Sequence, residues 1–163
     1  MHLLPRHLSV RSLRGTARLV ASGGGLGRAP LAPGTVASAA TLLPGALLLH
    51  VSPALLPLAA LAATLAGLWA IRAGSITDDP GWVVIDEVAG QLLALWGLAY
   101  VSPLGLLAAF VGFRVLDVVK PGPVGWADRQ HGAAGIMGDD LIAGAIVAAI
   151  LWAARSYWPL VFG

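Results

Sequence analysis

Asp86 and Glu87 stand side by side in WVVIDEVAGQLLALWGLAYV (82–101), and no charged residue follows them until Arg114. Two carboxylates at the mouth of an apolar segment need an offset. A charge at a bilayer centre costs roughly 2.5–3.5 kcal/mol on insertion scales, less near the surface. Adjacent helical residues point about 100° apart, so both can edge one pocket without lying on one line. Oxygen-rich side chains at a wet, low-dielectric rim suit a hard cation such as Mg²⁺.

FRVLDVVKPGP (113–123) adds Arg114, Asp117 and Lys120 at i, i+3 and i+6, on one broad helical face. This pattern reads either as an internal ion-pair ladder or as a phosphate clamp. In the second reading an arginine fork and a lysine point charge flank a metal-binding carboxylate. Further acids lie in DDPGWVVIDEVAG (78–90) and GAAGIMGDDLIAG (132–144). Asp79 before Pro80 reads as a helix N-cap with proline at the first helical position. One of Asp139 and Asp140 reads as the cap of the last helix, where negative charge suits the dipole. One cap is enough for one helix, however. Three acidic pairs (78/79, 86/87, 139/140) and Asp117 converging on one face are the signal, more than any single pair.

ASGGGLGRAPLAPGTVAS (21–38) is a glycine-rich entry to a helix and matches neither the Walker A nor the GxGxxG pattern. It reads either as a flexible connection or as backbone N–H groups offered to a phosphate, with Thr35 and Ser38 at the helix start. His131 is a candidate general acid or a plain loop residue. The absence of cysteine excludes thiol nucleophiles, disulfides and thiolate metal sites.

The elements that must position these groups are membrane helices. The 163 residues are 58% hydrophobic and 11% charged, against about 25% charged in ordinary soluble domains. Uncharged runs extend over Ala29–Ile71, Val88–Phe113 and Leu141–Ala154, and a spanning helix needs roughly 20 mostly apolar residues. The first run is long enough for two helices broken at HVSP (50–53), because the residue before a proline is pushed out of the helical region. YVSP (100–103) breaks the second run in the same way, and its arms reach spanning length only when extended to Trp82 and Lys120. The expectation is an all-α membrane bundle of about five helices: two hairpins and a C-terminal helix from Leu141 to about Leu160. Both hairpins then open on one side, where every acid gathers.

Five of the ten basic residues lie in the first 28 positions. Residues 1–20 read as a loose basic arm, or as an interfacial helix with Arg11, Arg14 and Arg18 on one face; residues 21–163 read as one helical domain. The arginine bias makes the acidic face cytoplasmic.

Taken together, these motifs resemble the phosphatidylglycerophosphatase A family from about Ala21 to Ala154. The resemblance rests on GxGxxPxxPGT (Gly25, Gly27, Pro30, Pro33, Gly34, Thr35), VIDEVAGQ, FRVLDVVKPGP and GIMGDDLIAG, in that order. Ala29 departs from the serine common in relatives, so no side-chain role is carried to it. The resemblance implies a helical, Mg²⁺-dependent phosphatase of the bacterial cytoplasmic membrane that converts phosphatidylglycerophosphate to phosphatidylglycerol. It makes Asp79, Asp86, Glu87, Asp117, Asp139 and Asp140 metal or catalytic candidates, and Arg114 and Lys120 phosphate contacts. The residues themselves fit metal-assisted phosphomonoester hydrolysis with one or two cations, the nucleophile being water or an aspartate. The rival reading is a cation- or proton-coupled transporter, whose acids usually lie nearer the midplane. No nucleic-acid partner is expected, and the sequence is silent on oligomeric state.

Overall fold

The computed structural model describes residues 6–77 and 79–162, with side chains from Ser12 onward and Val161 excepted. Asp78 and the side chains of Arg6 and Arg11 lie outside the described residues. Among the described residues there is no strand. The helices are α1 (Arg6–Ala21), α2 (Pro33–Val51), α3 (Leu55–Ala73), α4 (Ile85–Leu95), α5 (Pro103–Val119), α6 (Pro123–Asp128), α7 (Ala133–Ala154) and α8 (Pro159–Phe162), with a 3₁₀ turn over Gly23–Arg28.

From Arg6 onward the basic arm is helical rather than loose. Ala17 and Ala21 are fully buried against the bundle while Arg14 and Arg18 stay exposed. Small residues four apart share a face, which lets α1 lie close to its neighbours. The Arg18 guanidinium sits 5.9 Å from the centre of the Trp82 ring, and the Val84 N–H donates to the Ala21 carbonyl at 2.9 Å.

Among the described residues, three helices are long and apolar enough to cross a membrane: α2, α3 and α7. Their outward residues are apolar, among them Leu43, Leu47, Leu58, Leu61, Leu65, Ile150 and Trp152. So continuous an oily exterior marks a surface meant for a partner or lipid. Both expected breaks occur: α2 stops before Ser52–Pro53, and Ser102 caps α5, its Oγ accepting from the Gly105 N–H at 3.0 Å.

The second pair of helices is shorter than expected, so length does not confirm the count of about five. α5 has 17 residues and α4 only 11, or about 16 Å of helix for α4 at 1.5 Å per residue. α4 ends early for two reasons. At Gly97 the backbone presses on α7, where an added Cβ would lie 2.7 Å from the Ala148 carbonyl oxygen. Arg155 then satisfies the freed carbonyls, Nε donating to Gly97 at 2.9 Å and Nη2 to Trp96 at 3.3 Å. Apart from Asp86, Glu87 and Gln91, the sequence 82–101 is apolar all round because α4 is the axis of the bundle: eight of its residues are buried. A helix apolar on every face is a buried helix, with or without lipid.

Candidate functional site

The carboxylates reach one another through glycine. An added Cβ on Gly90 of α4 would lie 2.6 Å from the Asp140 carbonyl, and one on Gly144 of α7 would lie 2.3 Å from the Gly90 carbonyl. Only glycine permits so close a crossing, as in membrane helix pairs built on small residues. One turn before that crossing stand Asp86 and Glu87 on α4 and Asp140 on α7. Gly34 does the same for α2, where a Cβ would be 2.0 Å from Glu87 Oε1 and 3.3 Å from Arg114 Nη1.

The result is one basin. Asp86, Glu87 and Asp140 offer carboxylate oxygens within 4.8 Å of one another, and so do Asp117, Asp139 and Asp140. Asp86, Asp139 and Asp140 are buried, Glu87 and Asp117 half-buried. Arg114 pairs closely with Asp117 on its own helix and stands 4.0 Å from Glu87. Lys120 leaves the helical ladder that its spacing suggests. As the C-cap of α5 it adopts the left-handed region (φ 50°, ψ 52°) and turns its ammonium to Asp128 and, at 2.7 Å, to Asp139. Burial alone would pull its pKa down, but the two aspartates outweigh that and lift it above the ordinary value.

Capping explains less of this than the sequence suggests, and in one place more. Asp79 caps nothing, because α4 begins at Ile85 behind Val84. Asp139 and Asp140 cap nothing either: α7 begins at Ala133 behind Gly132, two turns earlier than expected. Asp86 and Glu87, by contrast, fall in the first turn of α4, where negative charge favours the dipole. Asp86 Oδ1 accepts from the Glu87 N–H at 3.0 Å.

Asp79 is exposed at the rim of a neighbouring polar cavity of about 180 Å³, shared with Asp128, Gln130, His131 and Asp139. Partial burial, then Asp139, raise its pKa above the usual carboxylate value. The glycine-rich turn does not join the acids. Gly23, Gly24 and Gly25 take positive φ, the N–H groups of Gly25 and Gly27 are spent on the Ser22 carbonyl, and Gly23 abuts Val84 and Val88. The start of α2 is what reaches the basin. Thr35 is half-buried in its first turn, whereas Ser38 is buried and donates its hydroxyl to the Gly34 carbonyl at 2.8 Å.

Among the described residues, the buried side-chain nitrogen and oxygen atoms lacking a hydrogen bond are Glu87 Oε2, both amide atoms of Gln91, Arg114 Nε and Nη1, and Asp140 Oδ1. Arg114 Nη1 has its ion-pair neighbours without an aligned hydrogen bond. Leaving a buried polar group unpaired costs about 1–3 kcal/mol, more for charged groups. That cost is concentrated in one basin, which marks it as built for something bound. Gln91 and Asp128 are the residues that motif reading passed over. Gln91 had a signal: it follows Glu87 by four residues, on the same helical face, in an otherwise apolar segment. Gly34 meets Glu87 and Gly45 meets Leu95, so α2 and α4 run in the same direction, with Ser38 and Gln91 one turn below the basin floor.

A family model described as phosphatidylglycerophosphatase A matches residues 19–155. A protein of Escherichia coli K12 named phosphatidylglycerophosphatase A is 35% identical over 98% of both chains. A Haemophilus influenzae protein of the same name is 40% identical over 50% of each chain. A putative phosphatidylinositol-3-phosphatase of Bacteroides thetaiotaomicron is 33% identical over 84% of this chain and 92% of its own. No solved structure matches significantly. The order VIDEVAGQ, FRVLDVVKPGP, GIMGDDLIAG, the basin those segments build, and matches over nearly the whole length agree: the chain belongs to the phosphatidylglycerophosphatase A family and is a phosphoric monoester hydrolase.

Proposed function

We propose that this protein removes the terminal phosphate of phosphatidylglycerophosphate to give phosphatidylglycerol, using Mg²⁺, at the cytoplasmic face of the bacterial inner membrane. The observation that carries the reading is the set of orphaned polar atoms in the basin. Arg114 Nε is a buried donor without an acceptor, Arg114 Nη1 has ion-pair neighbours but no aligned hydrogen bond, and Glu87 Oε2 and Asp140 Oδ1 are buried acceptors without donors. A phosphate supplies the first need and a cation the second.

The carboxylate set fits a hard divalent cation. Each group of three offers one oxygen per residue within 4.8 Å of one another, and hard oxygen donors are what Mg²⁺ takes. Asp86, Glu87, Asp117, Asp139 and Asp140 would hold the metal, with Asp79 at the edge. When bound, Mg²⁺ neutralises phosphate charge and activates a nucleophile. The chain's own part is to place the phosphate. Arg114 donates to the phosphoryl oxygens, where charge gathers during P–O cleavage. The N-terminus of α2 at Gly34 and Thr35, beside Arg114, adds unpaired N–H groups and a positive dipole end. Lys120 supplies a second cation. Water or an aspartate adds to phosphorus, the P–O bond to the lipid breaks and the lipid alcohol takes up a proton; an aspartyl phosphate, if formed, is then hydrolysed by water.

The lipid geometry agrees with this reading. α2, α3 and α7 cross the bilayer, α4 and α5 complete the bundle within it, and the basin opens at the shared end of these helices. A lipid phosphate keeps its tails in the bilayer and its head at that depth. The test is phosphate release by the purified protein from phosphatidylglycerophosphate, phosphatidic acid and phosphatidylinositol 3-phosphate, with EDTA and with Mg²⁺ restored. Preference for the first lipid and loss on chelation are expected. Indifference to EDTA would remove the metal, and preference for either other lipid would reassign the substrate.

A further inference from the structure

The acids form two sets of three with one member in common, Asp140. That residue is 3% exposed, and its Oδ1 has no hydrogen-bond partner. The two sets are also occupied differently by the protein's own cations. In the second set, Asp117 is paired with Arg114 and Asp139 with Lys120. In the first set, Asp86 has no close cation among the described ion pairs, and Glu87 has only Arg114 at 4.0 Å.

Charge then decides between one cation and two. The two sets comprise five carboxylates, and Arg114 and Lys120 offset two of them, leaving three negative charges if all are ionised. One divalent ion leaves the basin negative, which repels a phosphate dianion. Two make it positive. Asp79 and Asp128 lie exposed at the edge, where solvent screens their charge.

We propose that the basin holds two divalent cations bridged by Asp140: one on Asp86 and Glu87, the other on Asp117 and Asp139. This rests on the metal reading above. The two positions are unequal. The first has only Arg114 beside it, at 4.0 Å from Glu87, and fills first. The second requires Arg114 and Lys120 to loosen from Asp117 and Asp139, so it binds about tenfold more weakly or worse, since parting even one partly buried pair costs on that order. A substrate phosphate attracts those two side chains and thereby opens the second position. Metal loading and phosphate binding are coupled through them.

The test is Mn²⁺ binding to the full chain in detergent, followed by equilibrium dialysis and electron paramagnetic resonance, without turnover. The expected result is two Mn²⁺ per chain in two phases, with a spin-coupled spectrum at saturation. Inorganic phosphate should tighten the weaker phase. Glu87→Gln should remove the tight phase and Asp117→Asn the weak one, while Asp140→Asn abolishes the coupling. Wild-type stoichiometry alone suffices should a variant fail to fold. A single Mn²⁺ per chain overturns the proposal and leaves the metal reading standing. Two ions without coupling overturn the bridge. No bound Mn²⁺ overturns both.

Discussion

The two ends of the bundle each hold charge against apolar helices, and they handle it in opposite ways. At the end formed by Gly97, Trp96 and Arg155, the guanidinium donates to two backbone carbonyls. It closes a helix that would otherwise expose them, and among the described residues no buried side-chain nitrogen or oxygen there lacks a partner. The groove beside it, lined by Pro53, Leu93, Trp96, Ala145 and Trp152, is apolar. At the other end Arg114 also faces neighbours, yet two of its nitrogens have no aligned acceptor, and Glu87, Gln91 and Asp140 share that condition. A charge whose hydrogen bonds are complete is structural. A buried group left incomplete, at a cost the fold could avoid by substitution, is kept for a ligand.

The strongest way to break this contrast is Asp140→Asn. The substitution keeps size and removes charge from the one residue common to both sets of acids. Lipid phosphate release should fall by about two to three orders of magnitude, the scale seen when one preorganised electrostatic group is lost. The thermal midpoint should hold or rise, because an unpaired buried charge is relieved. Retained turnover would make Asp140 a structural residue like Arg155.

Gly90→Ala comes next. Its Cβ would meet the Asp140 carbonyl and the Phe113 ring at 2.6 Å, so α4 and α7 must part. Overpacking of this kind costs about 1–3 kcal/mol, and misplacing catalytic groups by about 1 Å can cost about a hundredfold in rate. Gly112→Ala is the control. Its nearest neighbour, a Val147 methyl, would be 3.4 Å away, and activity should stay within a factor of about two, as at sites of ordinary packing. Equal losses in both variants would mean that the close crossing does not set the site.

What the sequence made legible follows from this. The acids, Arg114 and the Ser–Pro breaks were readable because each carries a local cost or constraint that a neighbouring residue cannot hide. The lengths of α4 and α7 were not. Burial by protein and burial by lipid write the same apolar run, so 82–101 looked like a crossing although α4 stops at Leu95. One of the two causes of that stop, Arg155, lies 60 residues further along. The start of α7 was hidden for the converse reason: Gly132, at φ 75°, opens a helix whose first two turns read as a loop. Lys120 was placed on the Arg114 face because spacing presumes a helix, and the left-handed cap at Lys120 ends it.

Arg114→Lys tests the fork itself. Lysine keeps the charge and the attraction to Asp117 but has no Nε and no planar pair of donors. Phosphate release should fall roughly tenfold to a hundredfold, through kcat more than KM if the donors act on charge developing in the transition state. A rise in KM alone would confine Arg114 to holding the substrate.

Arg155→Gln carries the smallest expected effect on function and so closes the contrast from the other side. Burial lowers the Arg155 pKa somewhat, but the residue stays charged at any pH where the protein folds, and its work is to cap carbonyls at the end of α4. A glutamine amide can keep one of the two bonds. The loss should therefore be about 1–2 kcal/mol of stability, the worth of a charge-assisted hydrogen bond. It should appear as a lower thermal midpoint with kcat and KM unchanged. The basin lies at the other end of α4, and nothing bound there touches this corner. A loss of turnover at full folding would mean that the short α4 is held in register from its far end, and that the two ends are mechanically one site.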